Sequence, residues 1–127
     1  MSPGLSVDSS MFIDHLRARD KANTLLAIQL RRHSQLFIST VVEYEVEVGI
    51  TALHRKLWDS IRECLTVLPF DSEMVLTACQ IKHRLKAKGK QIELADLFIA
   101  ATAMASGLPL ATLNRKHFEL IDRLELL

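Results

Sequence analysis

The stretch from Ala95 to Ala105 constrains the chain most. After Asp96 its only polar side chain is Thr102. A helix that is apolar on every side is a buried helix, and its partners must surround it. Gly107 is placed as its C-cap, with Pro109 behind it. The rest of the chain has to supply the layers that cover this element.

Short apolar segments alternate with helical patterns along the sequence. Leu5 to Val7 reads as a first strand ending at Asp8, with Ser9 or Ser10 capping a helix through Met11, Phe12, Ile13 and Leu16. Thr24 to Arg32 reads as a second helix and Leu36 to Ile38 as a second strand. Val42 to Val48 alternates apolar and acidic residues, which is strand periodicity. Thr40-Val41-Val42-Glu43, however, fits a capping box, a helix start. Helix is preferred, because a strand would line Glu43, Glu45 and Glu47 along one repelling face. In the helix Glu45 falls on the side of Val42, Val46 and Gly49, while Glu43 and Glu47 are left to the cap and to solvent.

Leu53 to Leu65 reads as a helix and Val67-Leu68 as a strand. Ser72 or Asp71 caps a long helix with apolar residues at Met74, Ala78, Ile81 and Leu85, ending at Gly89. Leu110 to Thr112 is a strand, and Leu124 to Leu126 a candidate for a last one. Strands alternating with helices predict an α/β fold with a short, mostly parallel sheet flanked by helices. The 127 residues, with neither linker nor repeat, fit a single domain over 1–127.

Composition removes several functions. Apolar residues make up 49%, too many for a disordered chain. With 16 Lys+Arg against 15 Asp+Glu, the net charge of +1 excludes a uniformly basic nucleic-acid coat, though not a local basic patch. Cys64 and Cys79 are too few for a disulfide scaffold and read as small core residues. No apolar run approaches a membrane span, and the N-terminal segment lacks the pattern of a signal peptide. A reducing cytoplasm is therefore the expected location.

Three carboxylates stand where a simple fold does not need them. Asp8 lies between a strand and a helix, where it serves either as a ligand-binding acid at a strand end or as a helix N-cap. Glu45 sits on the apolar side of its helix, where an uncompensated carboxylate is costly. Asp96 opens the most apolar helix, with Glu93 just before it; the helix dipole also favours an acid there. Asn114 and Arg115 follow the strand Leu110 to Thr112, so Asn114 reaches the rim of Asp8 if the two strands are parallel. Three converging carboxylates would suit Mg²⁺ or Mn²⁺, which prefer hard oxygen donors. The basic run Lys82, His83, Arg84, Lys86, Lys88 and Lys90 reads either as a solvated helix end or as a phosphate contact.

These residues, taken in order, resemble the PIN-domain ribonucleases, and among them the VapC-type toxins of toxin–antitoxin modules. Val7-Asp8-Ser9-Ser10-x-x-Ile13 resembles the first strand and leading acid. Ile38-Ser39-x-x-Val42-x-x-Glu45-x-x-x-Gly49 resembles the second motif, which selects Glu45. Gly89-x-x-Ile92-x-x-x-Asp96-x-x-Ile99-Ala100-Ala101-x-Ala103 resembles the third. Leu110-Ala111-Thr112-x-Asn114-x-x-His117-Phe118 resembles the closing motif. Ser9 and Ser10 stand where the family often has Asn or Thr, Val42 where many members have Thr, and His117 where an acid is common.

The resemblance implies a three-layer α/β/α fold and a Mg²⁺- or Mn²⁺-dependent endoribonuclease. Asp8, Glu45 and Asp96 would hold the metal. Asn114, Glu93 and Ser10 are auxiliary candidates for the site, and the fourth group stays open between them. Arg115 and His117 are candidate contacts for RNA or antitoxin. The implied partners are an RNA substrate (tRNA, rRNA or mRNA), a cognate antitoxin and a second copy of the chain; no membrane is implied. The alternative is a catalytically impaired fold of this family acting as an interaction module. A receiver or phosphatase with a strand-end acid is a weaker rival, because neither an adjacent acid pair nor Asp-x-Asp is present at the first strand.

Overall fold

The computed structural model describes residues 4–127. The domain expected over 1–127, and the reading of its N-terminal segment, include three residues outside this range. Four strands form one fully parallel sheet: β1 (Gly4–Val7), β2 (Gln35–Ser39), β3 (Leu65–Leu68) and β4 (Leu110–Ala111), in the order β3-β2-β1-β4. Leu5 pairs with Leu36, Leu36 with Leu65, and Val7 with Ala111. Every residue of β1 is buried. Successive strand residues face opposite sides, so both faces of the sheet are covered. The expected α/β architecture with helices flanking a parallel sheet is what the chain adopts.

The helices are α1 (Ser9–Arg17), α2 (Leu25–Arg32), α3 (Thr40–Gly49), α4 (Ala52–Glu63), α5 (Ser72–Ala87), α6 (Leu94–Ala105) and α7 (Arg115–Phe118). Helix α1 packs against α2, α3 and α4, while α5 packs along α6. Within α6, the run Ile99 to Ala103 is at most 1% exposed. Its alanines keep the helix thin enough to be enclosed, and the Thr102 hydroxyl donates to Phe98 O, so no polar group there is stranded. Both α5 and α6 end in Schellman motifs. Gly89 and Gly107 sit at φ +70° and +67°, and the residues after them, Lys90 and Leu108, bond back to Leu85 O and Ala103 O.

Several local expectations are corrected. Asp8, not Ser9 or Ser10, caps α1: it is extended, and its carboxylate accepts from Ser9 N. Ser39 caps α3 by accepting from Val42 N. The capping box at Thr40 does not form, because Glu43 pairs with Arg62 Nε at 2.7 Å instead. Glu47 is not left to solvent; it accepts from Trp58 Nε1 and from Arg55. Helix α4 stops at Glu63, leaving Leu65 to open β3. Cys64 and Cys79 are exposed rather than in the core. The last candidate strand reduces to a single bridge between Leu126 and Leu110. Met11, Phe12 and Leu16 are core residues.

Candidate active site at the carboxyl ends of the central strands

In a parallel sheet the carboxyl ends of neighbouring strands share one rim. Asp8 leaves the end of β1, and its N–H donates to Ala111 O of β4. Its side chain is 2% exposed. A carboxylate so deep needs donors, and Asp8 has them. Oδ1 accepts from Ser9 N at 2.8 Å. Oδ2 accepts from Ser10 Oγ at 3.0 Å and from Thr112 Oγ1 at 2.7 Å. The N-cap and the buried acid are thus the same residue.

Ser10 and Thr112 fasten the two strand ends together. Leu113 N donates to Ser10 Oγ, and Asn114 N donates to Thr112 Oγ1. Each hydroxyl therefore joins the Asp8 carboxylate to the chain that follows β4. The sequence flagged Ser10 but not Thr112, although Thr112 stood in the closing motif; a hydroxyl ending a buried strand beside an acid is the signal that was there to use.

Glu45 arrives from α3, half-buried. Ser9 Oγ donates to its Oε1 at 3.0 Å and stands 3.5 Å from Asp8 Oδ1, so one hydroxyl touches both acids. Burial pushes the Glu45 carboxyl above its usual range, and the charges of Asp8 and Asp96 push it further. Asp96 sits in the first turn of α6. Burial raises its carboxyl too, with Asp8 and Glu93 adding to the effect and His117 opposing it. The imidazole Nδ1 of His117 lies 3.2 Å from Asp96 Oδ2. The charge of Asp8, just past β1, thus acts on both Glu45 of α3 and Asp96 of α6.

The remaining candidates are spread around this cluster. Glu93 is the exposed N-cap residue of α6 and makes no side-chain cap bond. Asn114 is exposed on the rim and caps α7 without a side-chain bond. Arg115 turns away: its guanidinium donates to Leu127 O and pairs loosely with Glu119. His117 belongs with the acids.

Among the described residues, no group of three or more His, Cys, Asp or Glu side chains is already gathered to hold a metal ion. The chemistry of the donors nevertheless suits a hard divalent cation. They are carboxylates, and no described Lys or Arg pairs with Asp8, Glu45 or Asp96. Two of them are held above their usual range by burial and mutual repulsion, which a cation would relieve. Mg²⁺ commonly takes only one or two carboxylates and keeps waters, so a loose cluster suffices.

Comparison with known proteins gives the family and the fold. Residues 5–124 match the PIN domain family. The chain is 32% identical to Ribonuclease VapC1 of Rickettsia felis, over 98% of this chain and 95% of that one. It is 34% identical to Ribonuclease VapC10 of Mycobacterium tuberculosis, over 94% and 89%. Among solved structures, the VapBC2 complex of Rickettsia felis bound to a promoter DNA fragment contains a chain that superimposes with a TM-score of 0.82. The match covers 98% of this chain and 97% of that one at 21% identity, a likeness of fold.

Proposed function

The chain belongs to the PIN-domain family, and from that premise we propose that it is a Mg²⁺- or Mn²⁺-dependent endoribonuclease, the toxin of a toxin–antitoxin module. The observation that carries the reading is the approach of Asp8 and Glu45, which share Ser9 Oγ, with Asp96 close enough for its charge to act on Glu45. The relatives named as ribonucleases support the activity. Asp8, Glu45 and Asp96 would hold the metal. When bound, it would supply positive charge against the phosphodiester and lower the pKa of an attacking water.

The chain's own residues prepare that chemistry. Ser10 and Thr112 hold Oδ2 of Asp8 and Ser9 N holds Oδ1, so the carboxylate is fixed before substrate arrives. Ser9 does the same for Glu45. His117 keeps Asp96 turned to the cleft and offers an N–H to a phosphate oxygen. Asn114 and Glu93, each an exposed helix N-cap residue without a side-chain cap bond, are the auxiliary candidates.

The substrate class is RNA, whether tRNA, rRNA or mRNA. A cognate antitoxin and a second copy of the chain are the proposed protein partners. Exposed apolar side chains such as Tyr44, Val48, Leu76 and Leu94 support such contacts. Among the described residues no helix is long and apolar enough to cross a membrane. The proposed site of action is the cytoplasm.

The test is Asp96→Asn beside the wild type, with total RNA and Mg²⁺ or Mn²⁺, new 5′ ends being mapped by sequencing. Discrete ends with the wild type, lost in the variant and on chelation, are the expected result. A fall of at least about 10²-fold is expected for loss of one metal-holding group. A second reading, an interaction module without catalysis, is favoured by His117 occupying Asp96 Oδ2. Equal RNA patterns for wild type and variant, with no Mn²⁺-dependent rise in melting temperature, would select it.

A further inference from the structure

A cavity of about 530 Å³ opens beside the acidic cluster on the Asp96 side. That is the size of an ordinary small-ligand site. Asp96 and His117 form the edge it shares with the cluster. Apart from Glu93, an auxiliary candidate above, the rest of its wall has chemistry that the cleavage step leaves unused. Ile92, Leu94 and Leu120 give apolar surface, while Gln91, Glu93 and Lys116 give an amide, a carboxylate and an ammonium. Lys116 has no partner among the described residues, whereas Arg115 beside it is tied to Leu127 and Glu119.

We infer that this cavity seats one nucleotide of the RNA, adjoining the phosphate that is cut, with its phosphate on Lys116 and its base edge read by Gln91 and Glu93. The inference rests on the nuclease reading above. A phosphate group only accepts hydrogen bonds, so the ammonium suits it and the Glu93 carboxylate repels it. The carboxylate and amide suit a base edge instead, because a carboxylate accepts from an exocyclic amine and an amide can both donate and accept. The apolar wall takes the base face, which tolerates any base. Specificity then falls to the edge. Guanine alone presents two adjacent donors, N1–H and the 2-amino group, to one carboxylate, with O6 beside them to accept from the amide; adenine, cytosine and uracil each present a single donor position there. The pocket therefore favours guanine at one position flanking the cut.

The experiment uses a single-stranded RNA pool of random sequence with the full chain in Mg²⁺. Wild type, Gln91→Ala, Lys116→Ala and Lys86→Ala are compared, the last a control on the exposed face of α5. Cut ends are sequenced, and affinity for the pool is measured by filter retention across salt concentrations. The wild type is expected to show guanine enriched at one position beside the cut. Gln91→Ala should weaken that bias by about fivefold, the loss of one base contact, and leave the salt slope as in the wild type. Lys116→Ala should keep the bias, lower affinity, and reduce the salt slope by about 0.7, one phosphate contact on a single strand. Lys86→Ala should match the wild type. An unaltered bias in Gln91→Ala overturns the base reading. Equal losses in Lys116→Ala and Lys86→Ala overturn the placement of the phosphate. Unchanged behaviour in all three leaves the cavity to a protein segment. A wild type that neither binds nor cuts the pool overturns the nuclease reading, and this inference with it.

Discussion

At the scale of single residues, the cluster stores repulsion that a neutral side chain would release. The folded Glu45 carboxyl titrates above its unfolded value because of burial and the charges of Asp8 and Asp96. The fold therefore binds the proton more tightly than the unfolded chain does. Stability is greatest below the unfolded pKa and is lost as pH rises through the raised one. Glu45→Gln keeps an oxygen for Ser9 and removes the charge, so in metal-free buffer at pH 7 it should raise the melting temperature by a few degrees, read by calorimetry. His15 works in the other direction. Burial chiefly, and Lys21 next, hold its imidazole below the usual value, and Nδ1 lies 2.6 Å from Thr24 Oγ1. Its contribution is present above the unfolded pKa and is lost as pH falls through the lowered one. The wild type should lose more melting temperature between pH 7 and pH 5 than His15→Gln does. Sequence reasoning reached Glu45 because a helix places it on the apolar side, where an acid is costly. Thr112 escaped, because a hydroxyl in a strand looks the same whether it faces a neighbour or an acid.

At the scale of elements, the helices were legible and some of their caps were not. Periodicity over ten or more residues reports a buried face, and α5 and α6 follow it closely. A cap is decided by one side chain choosing between partners. Glu43 fitted a capping box but found Arg62 on α4; Ser39, one residue earlier, took the cap. The α3–α4 contact could not be read from either helix alone. It turns on Trp58, which is fully buried, stacks edge-on to Phe12 at 5.3 Å, and donates to Glu47 Oε2 at 2.6 Å. Trp58→Phe should cost about 2 kcal/mol, from a lost bond to a charged group and a partly filled space. The denaturation midpoint should fall with the m-value unchanged.

At the scale of the whole molecule, the sheet order was beyond reach of the sequence, because no local pattern says that β1 lies between β2 and β4. The order is what carries Asp8 to the rim that Thr112 also reaches. The C-terminal segment completes that edge: Leu110 N donates to Glu125 O, and Leu127 N donates to Leu110 O. Removing Glu125 to Leu127 should cost about 2 kcal/mol and lay bare a strand edge, so melting temperature should fall and light scattering on heating should rise. The same closure bears on the order in which the site is put together during synthesis. Thr112, which fixes Oδ2 of Asp8, comes 104 positions after it. A growing chain released early, or still being translated, holds its leading acid without the strand that aims it. During synthesis the acid waits for a strand made more than a hundred residues after it, and only then is its carboxylate held still.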